Sequence, residues 1–221
     1  MMIRPDEIIR SDRKTLTICI DSYNRLIVRA PKSCGEERIF AFIKEKENWI
    51  LRKKAEREKV QIPFPKEDLN GSVFLLLGRP CTIFFTQEKR VCFDKENYFL
   101  YLPNDDPKKR LVKWLKENAK RIFTEVAKAQ VLRMQTTYHS LSVNSAKGRW
   151  GSCSYKNALH FSFRLLYTPK DVIEYVVVHE LAHTKYKNHS PLFWAEVEKY
   201  IPDWKEKRKW LKHHGALMEI F

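Results

Sequence analysis

Val176-Val177-Val178-His179-Glu180-Leu181-Ala182-His183 is the stretch that decides the predicted fold class, and His189 follows six residues after it. Residues four apart lie on the same face of a helix, so His179 and His183 can direct two imidazoles at one ion. Glu180 sits one position further round, where its carboxylate can reach a metal-bound water. His189 can supply a third ligand from beyond the helix end. Three protein ligands leave a fourth position open, which is typical of a catalytic zinc site rather than a structural one.

The residues before this motif predict a buried helix. Thr168-Pro169-Lys170-Asp171 is typical of a helix start, with Thr168 as N-cap and Pro169 at the first helical position. The positions from Val172 to Val178 are apolar almost all the way round, and a helix that is apolar on every face is buried. Two histidines and a glutamate on such a helix need partners, because an unpaired buried polar group costs several kcal/mol. A metal ion with its water would supply them.

The residues after the motif predict a second helix close behind it. Asn188-His189 leads into Ser190-Pro191, a second N-cap followed by proline. His189 would therefore lie in a short loop held between two helices. Two alternatives remain open from the residues alone. In a gluzincin-like site the third ligand would be Glu196 or Glu198, and in a non-metal reading the histidines would be hydrogen-bonded core residues.

Composition predicts a globular protein of the reducing cytoplasm. The chain has 221 residues and is 43% hydrophobic, which is enough for one large domain or two small ones. No run of about eighteen apolar residues is present, so we expect no membrane span. The start of the chain, Met1 to Asp12, is polar and carries no apolar signal segment. Five scattered cysteines without C-x-x-C spacing indicate reduced thiols rather than a disulfide framework.

The formal net charge of +15 allows two interpretations. It suits a polyanionic partner such as nucleic acid or a nucleotide, and it equally suits a solvated, lysine-rich surface. Much of the charge lies in three predicted helices: Lys44 to Lys59, Lys108 to Arg121 and Lys205 to His214. No recognised nucleic-acid-binding motif accompanies them. The basic surface therefore predicts at most weak nucleic-acid binding.

The order of predicted elements indicates an α+β chain in two modules. Residues 1–104 form a β-rich N-terminal module with one long helix over Glu36 to Glu58 and a closing meander of four short strands. Residues 105–221 form a helix-plus-sheet catalytic module. It begins with a long helix that reaches about Gln135, continues with three strands, and contains the metal helix and a last helix over Asp203 to His213.

A dense set of motifs in the second half resembles the YgjP-like metallopeptidase-domain family, which is related to the WLM and SprT-type zinc peptidases. The matching residues are Trp150-Gly151-Ser152-Cys153-Ser154, Arg164-Leu165, Val176 to His183, Asn188-His189-Ser190 and Phe193-Trp194. The resemblance implies a zincin-like fold for the catalytic module. It also implies one metal ion, zinc by the chemistry of three imidazoles, bound by His179, His183 and His189. Members of the family are described both as peptidases and as nucleotide hydrolases.

Five further residues are predicted to bind the substrate. In zincin-like folds a strand beside the metal helix pairs with extended peptide, and Trp150, Gly151 and Ser152 occupy the matching stretch. Gly151 would let a substrate backbone approach closely. Arg164 and Tyr186 flank the metal helix and are candidates to stabilise negative charge in the transition state.

Three functional hypotheses follow. The first is a zinc-dependent, metallopeptidase-like hydrolase in which Glu180 is the general base for a metal-activated water. The second is a metal-dependent hydrolase of nucleoside triphosphates, for which the positive charge and basic residues such as Lys147 and Arg149 provide support. The third is a nucleic-acid-associated protease that docks through its basic helices.

Overall fold

The computed structural model describes residues 3–20, 24–58 and 68–220, with the backbone alone for 56–58. The chain divides into two compact units, residues 1–61 and 62–221. Both units combine helices with small mixed sheets, so the predicted α+β class is confirmed.

The first unit contains a three-stranded sheet and two helices. Its strands are β1 (Glu7–Ser11), β2 (Thr17–Ile20) and β3 (Leu26–Pro31), and its helices are α1 (Glu36–Glu45) and α2 (Glu47–Glu58). β3 lies in the middle, parallel to β1 and antiparallel to β2. Leu26, Val28 and Ala30 of β3 are fully buried and pack with Ile39 and Ile43 of α1.

The long helix predicted from Glu36 to Glu58 is in fact two helices that meet at Lys46. The amide of Lys46 is shared between the carbonyls of Phe42 and Ile43, which tightens the last turn of α1 before α2 begins. The buried positions Ile39, Ile43 and Ile50 keep helical spacing across the break. The apolar pattern therefore predicts helix on both sides and does not reveal the break.

The second unit begins with a four-stranded sheet. Its strands are β4 (Val73–Leu76), β5 (Arg79–Thr86), β6 (Cys92–Asp94) and β7 (Phe99–Pro103), in the spatial order β4-β5-β7-β6. The predicted meander is wrong, because β7 lies parallel to β5 and separates it from β6. This order places fully buried Ile83 beside Leu100 in the centre of the sheet and leaves the more exposed β6 at the edge.

A long helix and a second small sheet follow. The helix α3 (Pro107–Met134) buries a stripe that recurs every three or four residues, from Leu111 through Phe123 to Met134. The strands are β8 (Ser140–Asn144), β9 (Gly151–Cys153) and β10 (Ala158–Ser162). β10 is central, parallel to β8 and antiparallel to β9, so β9 is an edge strand.

Three helices complete the unit: α4 (Lys170–Ala182), α5 (Pro191–Tyr200) and α6 (Trp204–His213). The predicted burial of α4 is confirmed, since Val172, Val176, Val177 and Val178 are all nearly inaccessible. The predicted N-cap of α4 is wrong. Pro169 occupies that position, and the hydroxyl of Thr168 donates to the carbonyl of Leu165 instead. The predicted start of α5 is confirmed, with the Ser190 hydroxyl accepting from the amide of Phe193.

The boundary expected after residue 104 lies inside the second unit. Residues of the four-stranded sheet, such as Phe74 and Ile83, belong to the same hydrophobic core as α3 and α4. The turn between β4 and β5 also contacts the start of α4: a Cβ on Gly78 would lie 2.9 Å from Pro169. In addition, the amide of Leu77 donates to the carbonyl of Leu166. The sheet therefore belongs to the same compact unit as α4 and packs in the same core.

The composition predicted reduced cysteines and no membrane span. No disulfide bond joins the five cysteines, all of which lie in the described part of the chain. Within the described residues, no helix is both long enough and apolar enough to cross a membrane.

Candidate metal centre

The three histidines singled out in the sequence come together at the C-terminal end of α4. One potential ligand atom from each of His179, His183 and His189 lies within 4.8 Å of the others. The Nε2 atoms of His179 and His189 face each other at 3.1 Å. In tetrahedral zinc sites, neighbouring nitrogen ligands stand about 3.3 Å apart, because Zn–N bonds are about 2.0–2.1 Å long. The donor set and its convergence therefore fit a zinc-type ion.

The protonation states of His179 and His183 also suit metal binding, because both imidazoles are expected to be neutral. Burial, together with the nearby rings of His183 and His189, lowers the pKa of His179 to about 3. Burial likewise lowers the pKa of His183. The carbonyl of Tyr186 lies 2.9 Å from Nδ1 of His183 and can only accept, so the proton resides on Nδ1. Nε2 of His183 is thereby left with a free lone pair, as is usual for a metal-binding imidazole.

Aromatic rings from α5 and α6 hold the histidines in place. Phe193 packs against the rings of all three, at centroid distances of 4.4 to 4.8 Å. Trp194 stacks on His189 at 5.5 Å, and Trp204 stacks on Trp194 at 4.0 Å. His189 lies in an exposed loop, and this stack limits its orientations. The spacing of Phe193 and Trp194 predicts core packing for α5, but does not reveal their contact with the ligands.

Glu180 is a buried carboxyl group without a hydrogen-bond partner among the residues that the structure describes. Its side chain is only 6% exposed. Burial raises the pKa of Glu180 to about 8, and the positive charge of nearby Arg149 opposes that rise. A buried carboxyl group is usually hydrogen-bonded, so an unpartnered one beside three convergent imidazoles indicates a functional position.

Gly151 has a more specific role than the sequence suggested. A Cβ at this position would lie 2.8 Å from Oε1 of Glu180 and 2.9 Å from its Cγ. Such contacts are too short for a real side chain, so only glycine lets β9 approach the glutamate. The close approach predicted for a substrate backbone is instead made by the Glu180 side chain. A Cβ on Gly148, by contrast, would meet nothing within 4 Å.

Among the described residues, no strand pairs with the outer edge of β9, and this edge lies beside Glu180. On the paired side, the carbonyl of Trp150 accepts from Ser162, and the amide of Ser154 donates to Ala158. Because hydrogen bonding alternates along an antiparallel pair, the amides and carbonyls of Gly151 and Cys153 point towards the unpaired edge. This edge offers a template on which an extended chain can pair.

Ser152 and Trp150 lie on the other face of this sheet. Side chains alternate along a strand, and the Cβ position of Gly151 faces Glu180. The side chain of Ser152 therefore points away from Glu180, opposite His160 of β10, which is hydrogen-bonded to Ser142. The backbone groups of Trp150 and Ser152 are directed to the paired side, towards β10, so neither residue offers them to the outer edge. Burial raises the pKa of neighbouring Cys153, which keeps its thiol protonated.

Arg164 is not exposed to a substrate, contrary to the prediction. Its side chain is 1% exposed. Its guanidinium donates to the carbonyls of Ile220 and Ser145 at 2.9 and 2.8 Å and packs on the ring of Phe163. Glu174 of α4 accepts from Gln130 and Arg133 rather than from Arg164. Arg164 instead ties two distant segments together inside the core.

The loop from α4 to α5 is anchored outside the histidine cluster. Lys185 donates to the carbonyl of Met134 at the end of α3 and pairs with Glu196 at 2.7 Å. Glu196 is thus engaged away from the histidines, and the cluster includes His189 rather than either acid of α5. Tyr186 contributes its carbonyl to His183, while its ring is half-buried and packs on the core.

Three exposed cations surround the site and were not predicted as site residues. Arg149 precedes β9, Lys187 lies between His183 and His189, and Arg208 lies on α6. The charges of these residues act on Glu180, His183 and His179 respectively. The position of Arg149, two residues before Gly151, could have predicted that Arg149 lies close to Glu180. No local feature of the sequence predicts that Arg208 lies near the site.

The model of the YgjP-like metallopeptidase-domain family matches residues 14–214, and the chain belongs to that family. The match extends through both compact units and confirms the resemblance deduced from the motifs.

Two solved structures are similar to part of the chain. One is the metallopeptidase zymogen jannalysin of Methanocaldococcus jannaschii, with 20% identity and a TM-score of 0.33 over 40% of this chain and 91% of the other. The second is the metallopeptidase zymogen abylysin of Pyrococcus abyssi, with 26% identity and a TM-score of 0.32 over 46% of this chain and 92% of the other. No curated protein matches the chain.

Proposed function

We propose that this protein is a zinc-dependent hydrolase of peptide bonds in which His179, His183 and His189 hold the metal and Glu180 is the general base. One observation carries the proposal. A buried glutamate without a hydrogen-bond partner among the described residues lies on α4 directly after His179, one of three histidines whose ligand atoms converge within 4.8 Å. Membership of a metallopeptidase-domain family supports the reaction class.

Zinc, when bound, would polarise the scissile carbonyl and make the attacking water more acidic. Glu180 accepts a proton from that water at a carboxylate oxygen and then donates it to the leaving amine. Its burial favours this exchange, because a carboxyl group with a pKa of about 8 takes up and releases protons near neutrality. A divalent cation beside it would favour the carboxylate form in the resting state.

The free edge of β9 supports a peptide as substrate. The outward amides and carbonyls of Gly151 and Cys153 match the groups of an extended peptide backbone, which would add as a further strand. This pairing would bring a peptide carbonyl close to Glu180, since Gly151 is in contact with that side chain. Because Arg164 is committed to the core, we assign no charge-stabilising role to it. Tyr186 remains a candidate for substrate contact through its half-exposed ring.

A second candidate is hydrolysis of nucleoside triphosphates. Arg149 favours it, because an exposed guanidinium close enough to act on Glu180 is suited to a phosphate. The third hypothesis, a protease that acts while bound to nucleic acid, requires the basic surface to bind DNA or RNA. Binding with a steep salt dependence would support it.

The test is a hydrolysis panel with the zinc-loaded protein, using unstructured peptides on one side and nucleoside triphosphates on the other. Zinc content is measured in parallel, and Glu180→Gln serves as the control that retains the ligands. We expect peptide cleavage that disappears in Glu180→Gln while one zinc per chain is retained. Release of phosphate or pyrophosphate without peptide cleavage would replace the peptidase proposal with the nucleotide candidate.

A further inference from the structure

Three exposed cations border the candidate site on different sides. Arg149 lies at the start of the β9 edge, beside Glu180. Lys187 lies at the other end, where its ammonium group contacts the carbonyl of Ser154 at 3.5 Å and the side-chain oxygen of Asn157. Arg208 lies over the ring of Trp194, at 5.2 Å, and Trp194 in turn stacks on His189. We call Arg149, Lys187 and Arg208 the basic rim.

The basic rim has no carboxylate partner within the described part of the chain, whereas close sequence neighbours do. Lys185, two residues before Lys187, pairs with Glu196. Lys207, next to Arg208, pairs with both Asp171 and Asp203. On the same loop and the same helix, Lys185 and Lys207 are thus neutralised by carboxylates. The three cations of the basic rim are left available to a ligand of opposite charge, as is exposed Lys212, which lies outside the rim.

We propose that the basic rim selects acidic polypeptide segments that bind in extended conformation along β9. The inference rests on the proposed function and adds the class of substrate. Acidic side chains at the two ends of the bound segment would meet Arg149 and Lys187. An acidic residue on the far side of the histidines would meet Arg208.

The spacing of the basic rim favours a polypeptide over a single phosphate group. The stretch from Arg149 to Ser154 spans on the order of 15 Å, at about 3.3 Å per residue. Arg149 and Lys187 are therefore placed at opposite ends of the edge rather than converging on one anion. The outward backbone groups of Gly151 and Cys153 lie between them and suit a peptide backbone. A peptide of alternating acidic and neutral residues satisfies both features.

The first measurement is binding of labelled peptides to the zinc-loaded Glu180→Gln variant, followed by fluorescence anisotropy. The peptides have equal length and the same central residues, with flanks of glutamate, serine or lysine. We expect the glutamate peptide to bind about tenfold more tightly than the serine peptide in 0.1 M salt, since each exposed pair is worth about a twofold to fivefold change. In 1 M salt, where the screening length falls to about 3 Å, the preference should nearly vanish.

Charge reversal locates the effect. Arg149→Glu, Lys187→Glu and Arg208→Glu should each reduce the ratio of glutamate to lysine peptide binding by about fivefold or more. Lys212→Glu is the matched control, because Lys212 is exposed on the same helix as Arg208 but is not part of the rim. Lys212→Glu changes the net charge by the same amount as each rim variant, and it should leave the ratio of glutamate to lysine peptide binding unchanged. An equal response in Lys212→Glu would attribute the preference to overall charge and overturn the proposal.

Cleavage by the wild-type protein separates this inference from the proposed function. Equal binding and equal kcat/KM for all three peptides would overturn the inference and leave the peptidase proposal intact. Preferential binding of the glutamate peptide without any cleavage would support the basic rim and count against the peptidase proposal. A nucleoside triphosphate and the unlabelled glutamate peptide are also compared as competitors. If the nucleoside triphosphate displaced the labelled peptide at the lower concentration, the inference would be overturned in favour of a phosphate ligand.

Discussion

Two buried ionisable groups, Arg164 before the metal helix and Glu180 within it, have opposite surroundings. The guanidinium of Arg164 donates to two backbone carbonyls from distant parts of the chain. The carboxyl of Glu180 accepts from no described residue; it lies against Gly151, and the charge of exposed Arg149 acts on it. Buried polar groups in a structural core usually have their hydrogen bonds made, whereas a buried carboxyl with a strongly raised pKa and no such bond indicates a functional position. The first region is thus structural and the second functional, although both motifs are prominent in the sequence.

The largest expected effect is on turnover in Glu180→Gln. If the protein is the proposed hydrolase, kcat should fall by about 10²–10⁴-fold, the range contributed by a general base. The free energy of unfolding of the metal-free protein should not decrease, because a buried carboxyl without a partner is removed. Chemical denaturation and a turnover assay check both statements. Unchanged turnover would contradict the role of Glu180, and a marked loss of stability would contradict its lack of partners.

Arg164→Met, in contrast to Glu180→Gln, should lower the free energy of unfolding. The carbonyls of buried Ile220 and exposed Ser145 lose their donor. A buried unsatisfied group costs about 1–3 kcal/mol and water can reach Ser145, so we expect a destabilisation of about 1–3 kcal/mol. Arg133→Met is the matched control, because the Arg133 side chain is 51% exposed and its pair with Glu174 should contribute about 1 kcal/mol or less. Denaturant titrations of both variants give the difference. If the two losses were equal, the structural role of Arg164 would be refuted.

Zinc should stabilise the wild-type protein through the histidine cluster. At a free zinc concentration of 100 times Kd, the free energy of unfolding should rise by about 2.7 kcal/mol. Removal of zinc by a chelator should reverse the gain. His189→Ala should lose most of it while changing the stability of the metal-free protein by no more than about 1 kcal/mol, since His189 is exposed.

His213→Ala provides the control for zinc binding, because His213 is also exposed but lies outside the cluster. Thermal unfolding with and without zinc is the measurement. If zinc stabilised His189→Ala and His213→Ala to the same extent, the metal would be bound elsewhere.

Gly151→Ala should reduce both stability and turnover. The new methyl group would collide with Oε1 and Cγ of Glu180, so either the strand or the carboxylate must move. Overpacking of this kind costs about 1–3 kcal/mol. A displaced catalytic group can reduce turnover by about 10²-fold. Gly148→Ala, with open space around the added methyl group, should be close to wild type. Equal behaviour of the two variants would show that Gly151 does not support Glu180.

Regular local patterns in the sequence were sufficient to predict most elements of the second unit. The stripe of α3, the apolar run of α4 and the Ser190-Pro191 start of α5 all appear in the structure close to the expected positions. β1 was missed because its side chains are mostly exposed, so no apolar alternation marks it. The order of the four-stranded sheet was missed because parallel pairing of β5 with β7 joins residues that are distant in sequence.

The residues of the candidate site also divide into those that the sequence predicted and those that depend on tertiary packing. His179, Glu180 and His183 share one helix, so helix geometry alone brings them to one end, and their grouping was predictable. The choice of His189 over Glu196 depends on the pairing of Glu196 with Lys185. The aromatic support from Phe193 and Trp194, and the arrival of Arg208 from α6, depend on how three helices pack.

The sequence by itself determined the α+β class, the metal helix and the three-histidine pattern, because periodicity and motif spacing are set by bonds along the chain. Only the tertiary structure decided that Arg164 is buried and saturated, that Gly151 makes room for Glu180, and that uncompensated cations surround the site. Each of these facts is a contact between residues far apart in sequence. Such contacts depend on the packing of the whole unit, and no local pattern encodes them.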